Sequence, residues 1–127
     1  FSDPPMNLIA ASATPGGMRL NAGPEFALAL PHTATPSLTV GVRASAVHAL
    51  ARDGDMTLPG TVELAEISGS DTFLHVSTAV GELVAQLTGV RFYDIGTPVT
   101  LHVHPSQVYV FDAAGDLLLA PVRPGRG

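Results

Sequence analysis

Apolar residues recur at every second position in short segments of this chain, and glycine- and proline-rich turns separate those segments. Such alternation places apolar side chains on one face of a strand and polar side chains on the other. Gly60 is expected to bend or bulge the first strand of the second half, because glycine permits sharp coiling. The pattern therefore predicts an antiparallel sheet with one buried face. The strands predicted in the second half span residues 56–67, 72–78, 83–87, 99–103, 108–111 and 117–119.

The first half of the chain carries a weaker signal. A helical turn is predicted over residues 4–8 and a helix over 44–52, with Ser45 as the N-cap of the longer one. Residues 1–17 are expected to form an extended lead-in. The tail, residues 121–127, is rich in proline, glycine and arginine, so it is expected to be flexible. The strands predicted in this half span residues 18–20, 26–30 and 38–43.

Many short strands with little helix favour a small barrel over a doubly wound sheet. The expected fold is all-β: a five-stranded OB-type barrel with extra strands and at most one or two short helices, over residues 1–120. An immunoglobulin-like sandwich is the structural alternative.

Composition disfavours several classes of function. The chain has a formal net charge of -5, no lysine and only six scattered arginines, so binding to nucleic acid or to an anionic membrane is not expected. It has no cysteine, which excludes disulfides and thiolate metal sites. With 46% hydrophobic and 13% charged residues, it is far from the composition of disordered proteins.

The sequence contains no motif of a nucleotide-binding or hydrolytic enzyme. There is no P-loop, no Gly-x-Gly-x-x-Gly fingerprint and no Gly-x-Ser-x-Gly elbow. We therefore expect this chain to carry no catalytic residues and no cofactor of its own.

His102 and His104 are the candidate metal ligands. Two positions apart on a strand, their imidazoles are expected to project from one face, and His75 is a candidate third ligand. The alternative, which base rates favour, is an exposed polar face of a half-buried strand.

Two pairs of carboxylates lie close together in the sequence: Glu63 with Glu66, and Asp53 with Asp55. Glu63 lies on a predicted strand, and Asp53-Gly54-Asp55 forms a predicted turn, in which Asp and Gly are common. A solvated surface role is favoured over acid–base chemistry for both pairs.

Three residues are candidates for an interface. Arg43, at the end of an apolar strand, is suited to pairing with an acidic group across an interface, and a plain surface arginine is the alternative. Phe73 is favoured for core or interface packing, because the aromatic residues of this chain lack the neighbouring basic residues that nucleic-acid binding by stacking needs. His75 shares the face of Phe73 in the predicted strand.

Several segments, in order along nearly the whole chain, resemble one known family. Residues 1–8, Phe-Ser-Asp-Pro-Pro-Met-Asn-Leu, are similar to a Gly-Ser-Pro-Pro-Met-Asn-Leu segment of the C-terminal domain of maltose- and glycerol-phosphate-type ABC importer ATPases. This domain, called TOBE, is an OB-like barrel. The other similar segments are Leu38 to Arg43, Val62 to Leu64 with Gly69 to Asp71, Leu83 to Leu87, Gly96, Val99, and Phe111-Asp112 with Gly115.

The resemblance implies a regulatory and dimerisation domain without catalysis. In the family, a separate N-terminal domain binds ATP and Mg²⁺ and closes as a dimer on the membrane permeases. The C-terminal barrels contact each other, and in some members they receive inhibitory proteins. The resemblance thus implies a cytoplasmic location, peripheral on the membrane, and a parent that imports a sugar or a glycerol-phosphate-like solute.

The chain departs from the family pattern at Ala44 and Ser45, where Pro-Glu is usual, so a contact made by that glutamate is not carried over. The alternative function is a small-ligand barrel that binds an oxyanion such as molybdate, or a sugar. The Ser-Ala-Arg-Asn start of the molybdate-binding relatives is absent here.

Overall fold

The alternating segments form antiparallel strands in the computed structural model, which describes residues 6–28, 30 and 36–121. In these residues the strands are β1 (Asn7–Thr14), β2 (Gly17–Leu20), β3 (Glu25–Ala27), β4 (Ser37–Val42), β5 (Met56–Ser68), β6 (Asp71–Thr78), β7 (Gly81–Thr88), β8 (Pro98–Val103), β9 (Tyr109–Phe111) and β10 (Leu117–Leu119). Two 3₁₀ helices, Ala44–Ala46 and Pro105–Gln107, complete the described part. The predicted all-β fold is confirmed. The predicted flexible tail lies outside the described residues, except for Pro121.

The strands form two antiparallel sheets that curl into a half-barrel. Six strands form one sheet in the order β10-β9-β4-β1-β2-β3, and four form the other in the order β7-β6-β5-β8. Strands β5, β6 and β7 are consecutive hairpins, and β8 returns to pair with the other side of β5. This order makes β7 and β8 the two edges of the four-stranded sheet.

Inward-facing side chains from both sheets form one hydrophobic cluster. Full burial of one Val, Leu or Met side chain stabilises the fold by roughly 1.5–3 kcal/mol relative to leaving it exposed. The alternation seen in the sequence is therefore the pattern of core contacts. The largest fully buried side chains are Met18, Leu20, Leu74, Leu83 and Leu101.

The irregularity of β5 lies at Glu63 and not at Gly60. The register against β6 shifts between Val62 and Leu64, so Glu63 is the extra residue of a bulge. Gly60 keeps a regular register, but a Cβ atom there would lie 2.5 Å from the carbonyl oxygen of Ser77. A bulge at Gly60 is therefore wrong, and the close approach of β6 gives a reason for glycine at this position.

Strand β1 occupies part of the segment that was expected to be a lead-in over residues 1–17, with a helical turn over 4–8. It lies inside the six-stranded sheet, between β4 and β2. Its residues Ile9 and Ala11 face inward and are buried. The helical turn is therefore wrong for its last two residues, which belong to β1, because pairing with β4 extends the backbone there. Residues 1–5 lie outside the described part.

The helix predicted over residues 44–52 is also wrong. Only the first 3₁₀ helix forms there; its N-cap is Arg43 and not Ser45, and no side chain caps it. The backbone of His48 then pairs with His102 of β8: each N–H donates to the other residue's carbonyl oxygen, at 2.9 and 2.8 Å. Pairing with a strand edge thus prevails over the weak local preference for helix.

The opposite edge, β7, is paired at one position by a side chain. Asn7 Nδ2 donates to the carbonyl oxygen of Val84 at 3.0 Å, and Asn7 Oδ1 accepts from the Val84 N–H at 2.8 Å. The preceding residue, Met6, packs over Gly41, where a Cβ atom would collide with its sulfur. The Met-Asn pair that carries the family resemblance therefore connects the two sheets.

Candidate functional site

The polar groups of greatest interest lie on the connection between β4 and β5. Arg43 follows β4 directly, and its Nε donates to the Tyr109 hydroxyl at 3.2 Å. Its guanidinium carbon lies 5.5 Å from the centre of the same ring, and Tyr109 stacks on Phe111 with ring centres 6.4 Å apart. The two Nη groups of Arg43 have no hydrogen-bond partner among the described residues. The guanidinium is thus held on an aromatic support with donors still available.

Arg52 and Asp55 form a second polar group on this connection. The Asp55 side chain is only 1% exposed, and its Oδ2 accepts from the Arg52 backbone N–H at 2.9 Å. The Arg52 Nε lies 3.8 Å from the same oxygen, and Asp55 Oδ1 is buried with no hydrogen-bond partner in the described residues. The solvated role expected for Asp55 is therefore wrong. Its carboxylate is buried and accepts a backbone hydrogen bond within the turn of residues 52–55.

His48 and His102 lie side by side through their backbone pairing. Burial lowers the pKa of His48 most, and the positive charge of Arg52 lowers it further, while Asp55 acts in the opposite direction. His102 is 8% exposed, and its Nδ1 is buried without a hydrogen-bond partner in the described part. The exposed polar face expected for His102 is wrong, because the connection covers this edge of β8.

A concavity of about 420 Å³ lies on one side of the connection. Two arginines, one histidine and three uncharged polar residues line it, together with two apolar residues, and no carboxylate is among its described lining residues. A second concavity of about 250 Å³, lined in part by Arg91, lies on the other side, so Ser45 and His48 border both. The lining residues of the larger one are Arg43, Ser45, Ala46, His48, Arg52, Gln107, Tyr109 and Pro121.

The candidate metal ligands do not form a ligand set. His104 lies beyond the end of β8 and caps the second 3₁₀ helix, where its Nδ1 accepts from the Ser106 N–H at 3.1 Å. It therefore does not share a strand face with His102. Among the residues that the structure describes, no three His, Cys, Asp or Glu side chains come together in a way that would hold a metal ion.

His75 and Phe73 lie on the outer face of β6, away from the barrel core. The His75 ring nitrogens lie 3.0 Å from Glu66 Oε1 and 3.5 Å from Glu82 Oε2. Glu66 is therefore engaged with His75, while Glu63 and Asp53 are exposed, as was expected for surface carboxylates. Arg43 follows a strand of the other sheet, so the three candidate interface residues do not form one cluster by strand position.

Sequence analysis gave no site role to four residues: His48, Arg52 and Asp55 of the β4–β5 connection, and Tyr109 of β9. His48 and Arg52 were hidden inside the predicted helix, and Asp55 was assigned to solvent. The sequence signal for a polar site was Arg43 at the end of a strand, with further cations close to it in the sequence. Tyr109 could not be added to that site because its strand is distant in sequence. Only the fold brings it beside Arg43.

Comparisons with known proteins place this geometry in context. A family model described as TOBE domain matches residues 40–111. Over 121 residues the chain is 28% identical to the sn-glycerol-3-phosphate import ATP-binding protein UgpC of Pectobacterium atrosepticum, a match covering 92% of this chain and 34% of that protein. The chain thus spans about a third of the length of this curated relative.

A solved structure of the cytoplasmic molybdate-binding protein ModG, with molybdate bound, is similar in fold. The TM-score is 0.64 at 16% sequence identity, and the match covers 82% of this chain and 94% of that one. At this identity the likeness concerns the fold alone, and it confirms the predicted OB-like barrel. Within residues 6–28, 30 and 36–121, no helix has the length and apolar character to cross a membrane.

Proposed function

Because this chain belongs to the TOBE domain family, we propose that it is the C-terminal regulatory domain of an ABC-type import ATPase. The observation that carries this proposal is the similarity to one import ATP-binding protein along nearly the whole chain. The proposed solute of the parent is a sugar or a glycerol-phosphate-like compound. The domain boundaries proposed from the sequence, residues 1–120 with a tail over 121–127, fit a barrel whose last described strand is β10.

We assign no catalytic step to this domain. ATP and Mg²⁺ are proposed to bind a separate nucleotide-binding domain of the parent, which also contacts the membrane permeases on the cytoplasmic side. The coding sequence on the 5′ side of this segment tests the assignment. A P-loop, an ABC signature and a Walker B aspartate are expected there, and a gene lacking them would contradict the parentage.

The proposed role is contact. Two barrels that stay associated keep their ATPase domains close after the nucleotide sites open, so each closure is effectively intramolecular. The proposed contact surface is the outer face of β6, where Phe73 is half-buried beside the paired His75. Arg43 is the proposed contact on the other sheet, and a regulatory protein is a further proposed partner.

Sedimentation velocity over a wide concentration range tests the homodimer. The chain is expected to associate as its concentration rises, and Phe73→Glu is expected to weaken the association because it places a charge in the contact. Phe92→Glu is the matched control, since Phe92 is 85% exposed on the loop after β7. A chain that remains monomeric at the highest concentration, or equal effects of both variants, would refute the proposed contact.

The alternative is an oxyanion- or sugar-binding barrel. Similarity of fold to a molybdate-binding protein supports it, but residues 44–46, Ala-Ser-Ala, do not replace the Ser-Ala-Arg-Asn start of such relatives. Calorimetry with molybdate distinguishes the two functions, because tight molybdate binding is expected only for the alternative.

A further inference from the structure

The larger concavity beside the β4–β5 connection has a cationic wall on a protein whose formal net charge is -5. Two of the six arginines line it, and no carboxylate is among its described lining residues. The buried Asp55 lies behind Arg52 and offsets part of its charge. The separation of 3.8 Å between Arg52 Nε and Asp55 Oδ2 exceeds the roughly 2.7–2.9 Å of a short charge-assisted hydrogen bond. The side-chain donors of Arg52 are therefore not saturated by this carboxylate.

Arg43 is oriented before any ligand arrives. Its Nε is occupied by the Tyr109 hydroxyl and its plane is supported by the same ring, while its Nη groups have no partner in the described part of the chain. A guanidinium held in this way loses less side-chain entropy when it binds a planar or tetrahedral anion. Two cations at one concavity, of which Arg43 is held in place, match a dianion better than a monoanion.

We propose that this concavity binds a small organic phosphate, with the phosphate group on Arg43 and Arg52. The organic part would lie against Ala46, Pro121 and the Tyr109 side chain, which form the less polar part of the wall. The site lies apart from the proposed contact surface on β6, and it shares Arg43 with the contact proposed on the other sheet.

Size and charge distinguish this ligand from simpler anions. A volume of about 420 Å³ falls within the roughly 300–1,000 Å³ of small-molecule sites, so it exceeds what one inorganic ion requires. A carboxylate would neutralise only one arginine. His48 supplies a neutral ring at the border, because burial and Arg52 hold its pKa below the ordinary value. The lining therefore offers both charged and neutral donors to a phosphate ester.

Isothermal titration calorimetry with glycerol 3-phosphate, a small dianionic monoester, tests the site on the full chain. Binding is expected for the ester and not for neutral glycerol, and weaker binding is expected for inorganic phosphate. Arg43→Gln and Arg52→Gln are each expected to weaken binding about 10- to 100-fold, the range of one charge-assisted hydrogen bond of about 1.5–3 kcal/mol. Arg19→Gln is the matched control, because Arg19 pairs with Glu25 at 2.7 Å on the β2–β3 hairpin.

Circular dichroism establishes that each variant is folded, and Arg52→Gln serves alone if loss of the Tyr109 contact unfolds Arg43→Gln. No heat with the ester at millimolar concentration would overturn the proposal. So would equal binding of glycerol, or binding unchanged by both substitutions. Molybdate binding that ignores both arginines would assign the anion site to another part of the barrel.

Failure of this proposal is distinguishable from failure of the proposed contact role. A strictly monomeric chain that still binds the ester through Arg43 and Arg52 would refute only the contact. A dimer that ignores the ester would refute only the binding site.

Discussion

The two edges of the four-stranded sheet are paired by different chemical means. At the β8 edge, the backbone of His48 exchanges two hydrogen bonds with His102. At the β7 edge, the side-chain amide of Asn7 makes the equivalent two bonds to Val84. Both contacts satisfy main-chain groups that an edge strand otherwise leaves open to another chain.

The difference lies in what each contact demands of the sequence. A backbone pair tolerates any residue that keeps its N–H, so the segment around His48 needs no recognisable motif to pair with β8. A side-chain pair needs a donor and an acceptor on one short arm, and Asn supplies both. This explains why the Met-Asn segment can be recognised in the sequence as a family resemblance, while the segment that pairs with β8 cannot.

The largest effect is expected at the side-chain edge. Asn7→Ala removes both bonds and leaves the part-buried Val84 groups without partners, so the free energy of unfolding should fall by about 2–4 kcal/mol. Urea denaturation measures the loss. Asn21→Ala is the matched control, because Asn21 is exposed in the turn after β2 and should change stability little. Equal losses in the two variants would show that the Asn7 bonds do not stabilise the barrel.

A smaller effect is expected at the backbone edge, and it should depend on the N–H alone. His48→Pro removes the donor to the His102 carbonyl and should cost about 2–3 kcal/mol, whereas His48→Ala should cost less than about 1 kcal/mol. The same denaturation measurement compares them. If alanine proved as costly as proline, the imidazole rather than the main chain would be what stabilises this edge.

The smallest effect is a pH dependence at the same edge. The pKa of folded His48 lies below the ordinary 6.5, so the unfolded chain takes up a proton first as the pH falls. The contribution of neutral His48 is fully present above that value and is lost as the pH falls from it towards the folded pKa. The wild type should therefore lose stability relative to His48→Gln as the pH falls below about 6.5. A pH-independent difference would contradict the lowered pKa.

The strands that sequence analysis located best are those with strict alternation. Leu74 and Val76 of β6, and Leu83 and Ala85 of β7, are buried as predicted, because each strand has one face on the core. Strand β1 was missed because its small residues give a weak hydrophobic contrast. Its burial at Ile9 and Ala11 depends on neighbours supplied by β2 and β4.

The polar site was less predictable than the fold, for a physical reason. His102 and Asp55 are polar residues that became buried because the connection between β4 and β5 folds across an edge. Local sequence predicts polar residues to be exposed, and only tertiary pairing reverses that. Arg43 was identified as a candidate, but its support by Tyr109 depends on the pairing of β4 with β9.

The position of Met6 and Asn7 has a mechanical consequence. Met6 rests on Gly41 of β4, and Asn7 is bonded across to β7, so the first described residues contact both sheets at once. A force applied to the chain at Met6 would be divided between the sheets, and β1 would resist it in shear along two neighbouring strands. Tension at this end would thus load both sheets together.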